Sequence, residues 1–330
     1  SRSSRHAVSL DRLVGQRIMV GFSGTTPPQS LRQRIQNGTV GGVILFSANI
    51  QSVPQTRTLA NQLQAAARAG GNPPLLIAVD QEGGSIRRFS SAPPDLSPPQ
   101  MAASGNPSVA HKEGKKTGRA LSSAGVNVDL APVVDVATSP QSFIARQGRS
   151  FGGNPDTVAS FADQFTKGLQ RAGVLATAKH FPGVGSAAVD TDNKLETINA
   201  SRKDLDAALR PYRHLAQSGV DMVMLSTAIF PAYDSSAPAA LSRPVQQLLR
   251  RDVGFQGVTI TDALESPTGM STAKAGVTAA KSGVDIVLFT NDATAESAAL
   301  RDAAGRGDVS RKNLESSYKR IAALKQSLKP

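Results

Sequence analysis

Cysteine is absent from the 330 residues, and with it go disulfides, thiolate nucleophiles and zinc–thiolate sites. The absence is compatible with an oxidising compartment but does not prove one. Tryptophan is also absent and aromatic residues make up only 4%, so a nucleic-acid single strand would find few stacking platforms. No apolar run approaches the ~18 residues of a membrane-spanning helix. Histidine occurs four times, as His6, His111, His180 and His214, which leaves little room for imidazole chemistry. Acidic residues are outnumbered by basic ones, 25 to 37, for a net charge of +12. That excess draws a chain towards anionic partners such as nucleic acid, acidic cell-wall polymers or a membrane surface. The basic residues are nevertheless scattered over helix-like segments, so a solvated basic surface is preferred to a nucleic-acid site.

What is present is a globular composition, 39% hydrophobic and 19% charged, with apolar segments spread evenly along the chain. The length exceeds that of a usual domain, yet α/β barrels reach it as one unit. Residues 1–9, SRSSRHAVS, hold neither Met nor an apolar targeting core. They are read as the flexible stub of a processed or engineered start, with residues 10–330 as a single domain. An extracytoplasmic or secreted location is the expectation, with a cytoplasmic one left open.

Eight short apolar runs recur at 17–22, 42–46, 75–80, 126–133, 174–181, 222–227, 257–263 and 284–289, with helix-like stretches between them. Nearly continuous apolar runs suit parallel strands buried on both faces, and Gly stops follow the helical spacing. Eight β-then-α units predict an α/β fold of the (β/α)₈ TIM-barrel type. A doubly wound sheet would share the local pattern, but no GxGxxG follows the first run. Barrel active sites form in the loops after the strands. Polar residues gather there: Asp80, Gln81 and Glu82 after the third run, Asp135 after the fourth, Lys179 and His180 after the fifth, and Asp262 after the seventh. Residues 90–100 and 137–155 read as long rim loops. The last segment predicts a closing helix capped by Ser310.

Five motifs in order, AVDQEGGSIRRF (78–89), GRSFGGNP (148–155), AKHFPGVG (178–185), STAIFPAYD (226–234) and GFQGVTITDAL (254–264), resemble those of family 3 glycoside hydrolases of the single-barrel β-N-acetylhexosaminidase type. The resemblance covers nearly all of the chain. It implies a saccharide substrate and makes Asp262 the nucleophile of a retaining glycosidase, through a covalent glycosyl-enzyme. It makes Asp80, Arg88, Arg149, Lys179 and His180 sugar contacts. For Lys179 and His180 the alternative is a structural pair holding the loop, and for Arg88 and Arg149 a salt bridge to Asp135 or Glu82.

The departures lie in the loop KHFPGVGSAAVDTDNKLE (179–196). The N-acetylglucosaminidase branch of the family carries KHFPGHGD and then Asp-Ser-His, the final Asp-His dyad supplying the acid/base. Here Val184 and Ser186 stand in the first part, and Asp190-Thr191-Asp192 in place of the dyad. Asp192 is the candidate substitute acid/base, with Asp190 raising its pKa through like-charge repulsion. Glu196 is a spare, and Glu265 is expected on the next helix. A carboxylate at this position would repel an anionic acceptor, so water rather than phosphate is the expected acceptor.

Three functions follow. The first is a hydrolase of terminal β-linked N-acetylhexosamine, from saccharides such as cell-wall fragments. The second is a catalytically impaired barrel that binds saccharide or a partner. The third is a basic adhesion or nucleic-acid module, supported by charge alone. Under the first, the charge would hold the enzyme near an acidic wall polymer. Hydrolysis by two carboxyl groups needs no cofactor, and the acidic residues do not form a metal-ligand set. Oligomeric state is not readable.

Overall fold

The computed structural model describes residues 8–328; most of the expected N-terminal stub, residues 1–7, lies outside the described residues. Ser9 caps the first helix, Leu10–Gly15, its hydroxyl accepting from the Arg12 amide.

Each apolar run supplies one strand: β1 Ile18–Val20, β2 Gly42–Ile44, β3 Leu76–Val79, β4 Val128–Asp129, β5 Leu175–Phe181, β6 Met222–Leu225, β7 Val258–Thr261 and β8 Val287–Leu288. Neighbours in sequence pair in parallel from β1 to β7, and β8 returns to β1 with Ile18 opposite Val287. A parallel bridge between Ile260 and Ile286 closes the ring. The fold is the expected (β/α)₈ barrel in a single domain.

The strands are apolar throughout because both faces are buried. Met19, Ile44, Ala78, Leu130, Met224 and Ile260 point into the barrel. Val20, Val43, Ile77 and Val79 instead join Leu59, Leu63, Phe165 and Leu169 of the surrounding helices. Burying each such side chain is worth about 1.5–3 kcal/mol. The interior is closed below by Ile321 and Leu324 of the last helix, Arg311–Gln326, which Ser310 caps as expected. It therefore opens only upward, where Ile44, Leu130, Met224 and Leu288 form an apolar floor.

Helix starts follow the same local chemistry. Ser52, Asn154, Ser201 and Ser271 each accept an orphan amide of the first turn, a contribution of about 1 kcal/mol apiece. Helices Ser108–Ser123 and Pro155–Arg171 approach so closely that a Cβ on Gly114 would lie 2.3 Å from the Phe165 carbonyl oxygen, so no larger residue fits. The two rim loops contain short helices, Pro98–Ala103 and Phe143–Arg146. Among the described residues no helix is long and apolar enough to cross a membrane.

Candidate active site

A cavity of about 540 Å³ opens over the apolar floor at the C-terminal ends of the strands. Beyond β3 the chain turns through a small hairpin, Gln81–Gly83 against Ile86–Arg87, which sets Asp80, Glu82 and Arg88 on one wall. The end of β5 brings Lys179 and His180 to the adjoining wall.

Lys179 lies between two carboxylates, its Nζ 2.8 Å from Asp80 Oδ1 and 2.7 Å from Glu82 Oε1. Arg149, from the second rim loop, grips Glu82 with a fork, Nε to Oε2 and Nη2 to Oε1, both at 2.8 Å. Arg88 closes the chain, its Nη2 3.3 Å from Asp80 Oδ2. Lys179 and Glu82 are 2% and 3% exposed, a depth at which an unpaired ion is costly. Burial alone would raise the carboxyl pKa values of Asp80 and Glu82. The adjacent cations outweigh it: Lys179 and Arg88 hold Asp80, and Lys179 and Arg149 hold Glu82, below the usual range. Both stay ionised. Burial would likewise strip the proton from Lys179, but the two carboxylates override it and push its pKa up.

Arg149 thus pairs with Glu82 and Arg88 with Asp80, while both line the cavity. Arg88 also stacks over Phe46, 5.5 Å from the ring centroid, and its Nε finds no partner among the described residues. Asp135 pairs with His180: Nδ1 lies 2.7 Å from Asp135 Oδ2, and Oδ1 accepts the amides of His180 and Val184 at 3.2 and 2.8 Å. Asp135 is fully buried, so it fixes both the imidazole and the loop that follows. That loop is seated closely; a Cβ on Gly185 would come within 1.8 Å of the Val136 carbonyl oxygen.

Asp262, half-buried, differs from Asp80, Glu82 and Asp135. It stands just past β7 on the cavity lining, and its side chain takes one hydrogen bond, from the Ala263 amide at 2.8 Å. Among the described residues no cation forms an ion pair with it. Burial pushes its pKa up to about 6; His180 and Lys179 oppose the rise, while Asp192 adds to it. A carboxylate left free of cations, at the end of a barrel strand and above an apolar floor, is available for attack on an electrophilic carbon.

Asp192 lies opposite, on the loop after β5, exposed to solvent and lining the same cavity. Ser266, on the loop after β7, donates to Asp192 Oδ1 at 3.1 Å. Asp190 Oδ2 accepts from Gln147 at 2.7 Å, and its Oδ1 accepts the Asp192 amide at 3.1 Å. Asp190 therefore shapes the turn that presents Asp192. Glu265 is not on the next helix, which begins at Thr272. It lines the cavity from the turn after β7, where the Thr290 amide donates to it at 2.8 Å. Glu196 pairs with Lys194 at 3.5 Å and lies outside the cavity lining.

Sequence reasoning missed Gln147 and Ser266. Gln147 precedes the GRSFGGNP motif and Ser266 follows TDAL, so adjacency to motif ends was the available signal. Among the described residues no group of three or more His, Asp or Glu side chains is arranged to hold a metal ion.

Residues 9–324 match the family model described as the glycosyl hydrolase family 3 N-terminal domain. An uncharacterised secreted glycosyl hydrolase of Arthroderma benhamiae is 37% identical over 98% of this chain and 95% of its own length. A β-N-acetylhexosaminidase structure from Beutenbergia cavernae superposes with a TM-score of 0.89 at 32% identity, covering 97% of this chain and 99% of that one. A family 3 β-N-acetylglucosaminidase structure from Paenibacillus gives a TM-score of 0.93 at 34% identity, over 97% of this chain. This chain spans only 63% of the Paenibacillus protein's length. With the barrel and its strand-end carboxylate, these likenesses make the chain a member of glycosyl hydrolase family 3.

Proposed function

We propose that this family 3 glycosidase removes terminal β-linked N-acetylhexosamine with retention, Asp262 forming a covalent glycosyl-enzyme and Asp192 serving as acid and then base. The observation that carries this reading is the contrast between Asp262, which forms no ion pair among the described residues, and Asp80 and Glu82, neutralised on the wall. A neutralised carboxylate accepts hydrogen bonds from sugar hydroxyls, whereas a free one attacks C1. In the first step the Asp262 Oδ–C1 bond forms as the C1–O bond to the leaving group breaks, and Asp192 gives its proton to that oxygen. In the second, Asp192 takes a proton from water, whose oxygen displaces Asp262.

Asp80, Lys179, His180 and Arg88 serve as sugar contacts, and Arg149 holds Glu82 in register. Gln147 and Asp190 shape the turn that aims Asp192. The N-acetyl preference comes from the hexosaminidase relatives, at 33% identity over 83% of the chain for that of Nitrosomonas eutropha. The exposed loop carboxylate disfavours a phosphate acceptor and leaves water. The secreted relative from Arthroderma and the net charge of +12 support action outside the cytoplasm, near an acidic wall polymer.

The test compares dinitrophenyl N-acetyl-β-glucosaminide, whose leaving group needs no acid, with a glycoside of a poor leaving group. Turnover of both, abolished by Asp262→Asn, is expected. Turnover of the activated substrate alone would remove Asp192 as proton donor. Sugar binding without release from either would leave a saccharide-binding barrel.

A further inference from the structure

At the opposite end of the barrel, between the helices that follow β6 and β7 and the closing helix, lies a second cavity of about 410 Å³ lined by Arg243, Arg250, Arg251, Lys281 and Arg320. No carboxylate lines it. The nearest is Asp285, fully buried behind the wall just before β8, with Oδ2 2.9 Å from Arg250 and Oδ1 2.8 Å from Arg320. One carboxylate thus serves two guanidinium groups. Arg17, also buried, is bound there through carbonyl oxygens, its Nε donating to Asp285 O at 3.1 Å.

Arg243, Arg251 and Lys281 form no ion pair among the described residues and are exposed; Arg243 donates only to the Lys281 carbonyl oxygen, at 3.0 Å. Asp252 follows Arg251 and lines a neighbouring cavity that Arg251 shares with Arg202 and Tyr233, but among the described residues it forms no ion pair with Arg251. Like charges crowded into a concavity repel one another unless an anion enters. Burial and the Arg320 charge already lower the pKa of Arg250, against the pull of Asp285.

We infer that this cavity is an anion site for a phosphoryl group, separate from the sugar site at the other end of the barrel. A planar carboxylate presents its two oxygens in a single plane. A tetrahedral phosphoryl group presents oxygens in several directions and accepts from several forks and an ammonium together. Gln247, exposed on the same lining, adds a neutral donor for a bridging oxygen. The phosphoryl group has two sources, a free phosphate or phosphomonoester, and the phosphodiester backbone of an acidic polymer. A polymer bound here would hold the enzyme on an anionic surface with its sugar cavity facing away.

The experiment measures thermal stability of the full chain in inorganic phosphate and in sodium chloride of equal ionic strength, then in a poly(glycerol phosphate) chain. Wild type should be stabilised by phosphate and not by chloride. The triple variant R243A/R251A/K281A, which leaves the Asp285 pairs intact, should bind phosphate at least about tenfold more weakly. Its circular dichroism and its turnover of the dinitrophenyl glycoside should be unchanged. Equal stabilisation by phosphate and chloride, or equal phosphate affinity in wild type and variant, would overturn the assignment. Tighter binding of the polymer than of phosphate, lost in the variant, supports the site with a phosphodiester as occupant. Phosphate binding with no gain from the polymer supports it with a small phosphate as occupant.

Discussion

Replacing Asp262 by asparagine should stabilise the protein at neutral pH while abolishing turnover. The carboxyl's folded-state pKa of about 6 lies above its ordinary value of 3.8. Between those values the native state holds a proton that the unfolded chain releases, so stability falls as pH rises from about 4 to about 6 and is flat above. With one pKa step worth about 1.36 kcal/mol, the ionised carboxylate costs the native state about 3 kcal/mol at pH 7.5. Asparagine keeps the shape and the Oδ1 acceptor for the Ala263 amide, and removes the charge. Thermal unfolding at pH 7.5 should therefore show the variant's midpoint raised by about 5 °C, a gap that shrinks through pH 6 and vanishes near pH 4. A variant no more stable than wild type at pH 7.5 would refute the reasoning. So would a gap that persists unchanged at pH 4, since it could not then arise from ionisation.

Asp192→Asn should slow a poor leaving group by about 10²–10⁴-fold and leave release of dinitrophenol nearly intact. Because Asp192 raises the Asp262 pKa, its removal should also move the acidic limb of kcat/KM for the activated substrate to lower pH; a limb that stays or moves upward would contradict the placement. Ser266→Ala removes the hydroxyl that holds Asp192 and should lower kcat several-fold for poor leaving groups only, with KM unchanged, as read from paired kinetics on the two substrates. Lys179→Met leaves Asp80 and Glu82 buried without their shared cation and should cost about 3–5 kcal/mol, measured as a lower thermal midpoint together with lost sugar affinity.

The barrel was legible because its signal is repetitive and local. Both faces of each strand are buried, which forces eight uninterrupted apolar runs, and each run contains its strand. The strand-end residues Asp80, Lys179, His180 and Asp262 were legible for the same reason, since the end of an apolar run is easy to find. What the sequence concealed was pairing across the chain. Nothing local to Asp190 indicates that Gln147, 43 positions away, would hold it, nor that Ser266, 74 positions from Asp192, would bind it. Arg149 could be foreseen as a salt-bridge partner of either Asp135 or Glu82, and only the fold decides, because Asp135 is already committed to His180. Glu265 was misplaced because three residues after a strand is an ordinary distance for a helix start, whereas here a turn intervenes before Thr272.

The division between strand ends and loop also bears on why the departure from the family pattern falls where it does. Asp80, Glu82, Lys179 and Arg149 form one run of alternating charge, with Lys179 and Glu82 almost wholly removed from water. Changing any member removes a charge partner from this run, and removing Lys179 takes the shared cation from both Asp80 and Glu82, at a cost of several kcal/mol. Their identities are therefore held by folding as well as by the proposed sugar binding. The proposed proton donor is under no such constraint. Asp192 is exposed, is held by one side-chain hydroxyl and one backbone turn, and carries no buried counter-ion. Exchanging an imidazole for a carboxylate there costs the fold little. It leaves the proposed nucleophile and sugar contacts untouched and changes only the charge that an incoming acceptor would meet. On the proposed mechanism the reaction's first bond is thus determined by the barrel, and its proton by a loop that stability does not police.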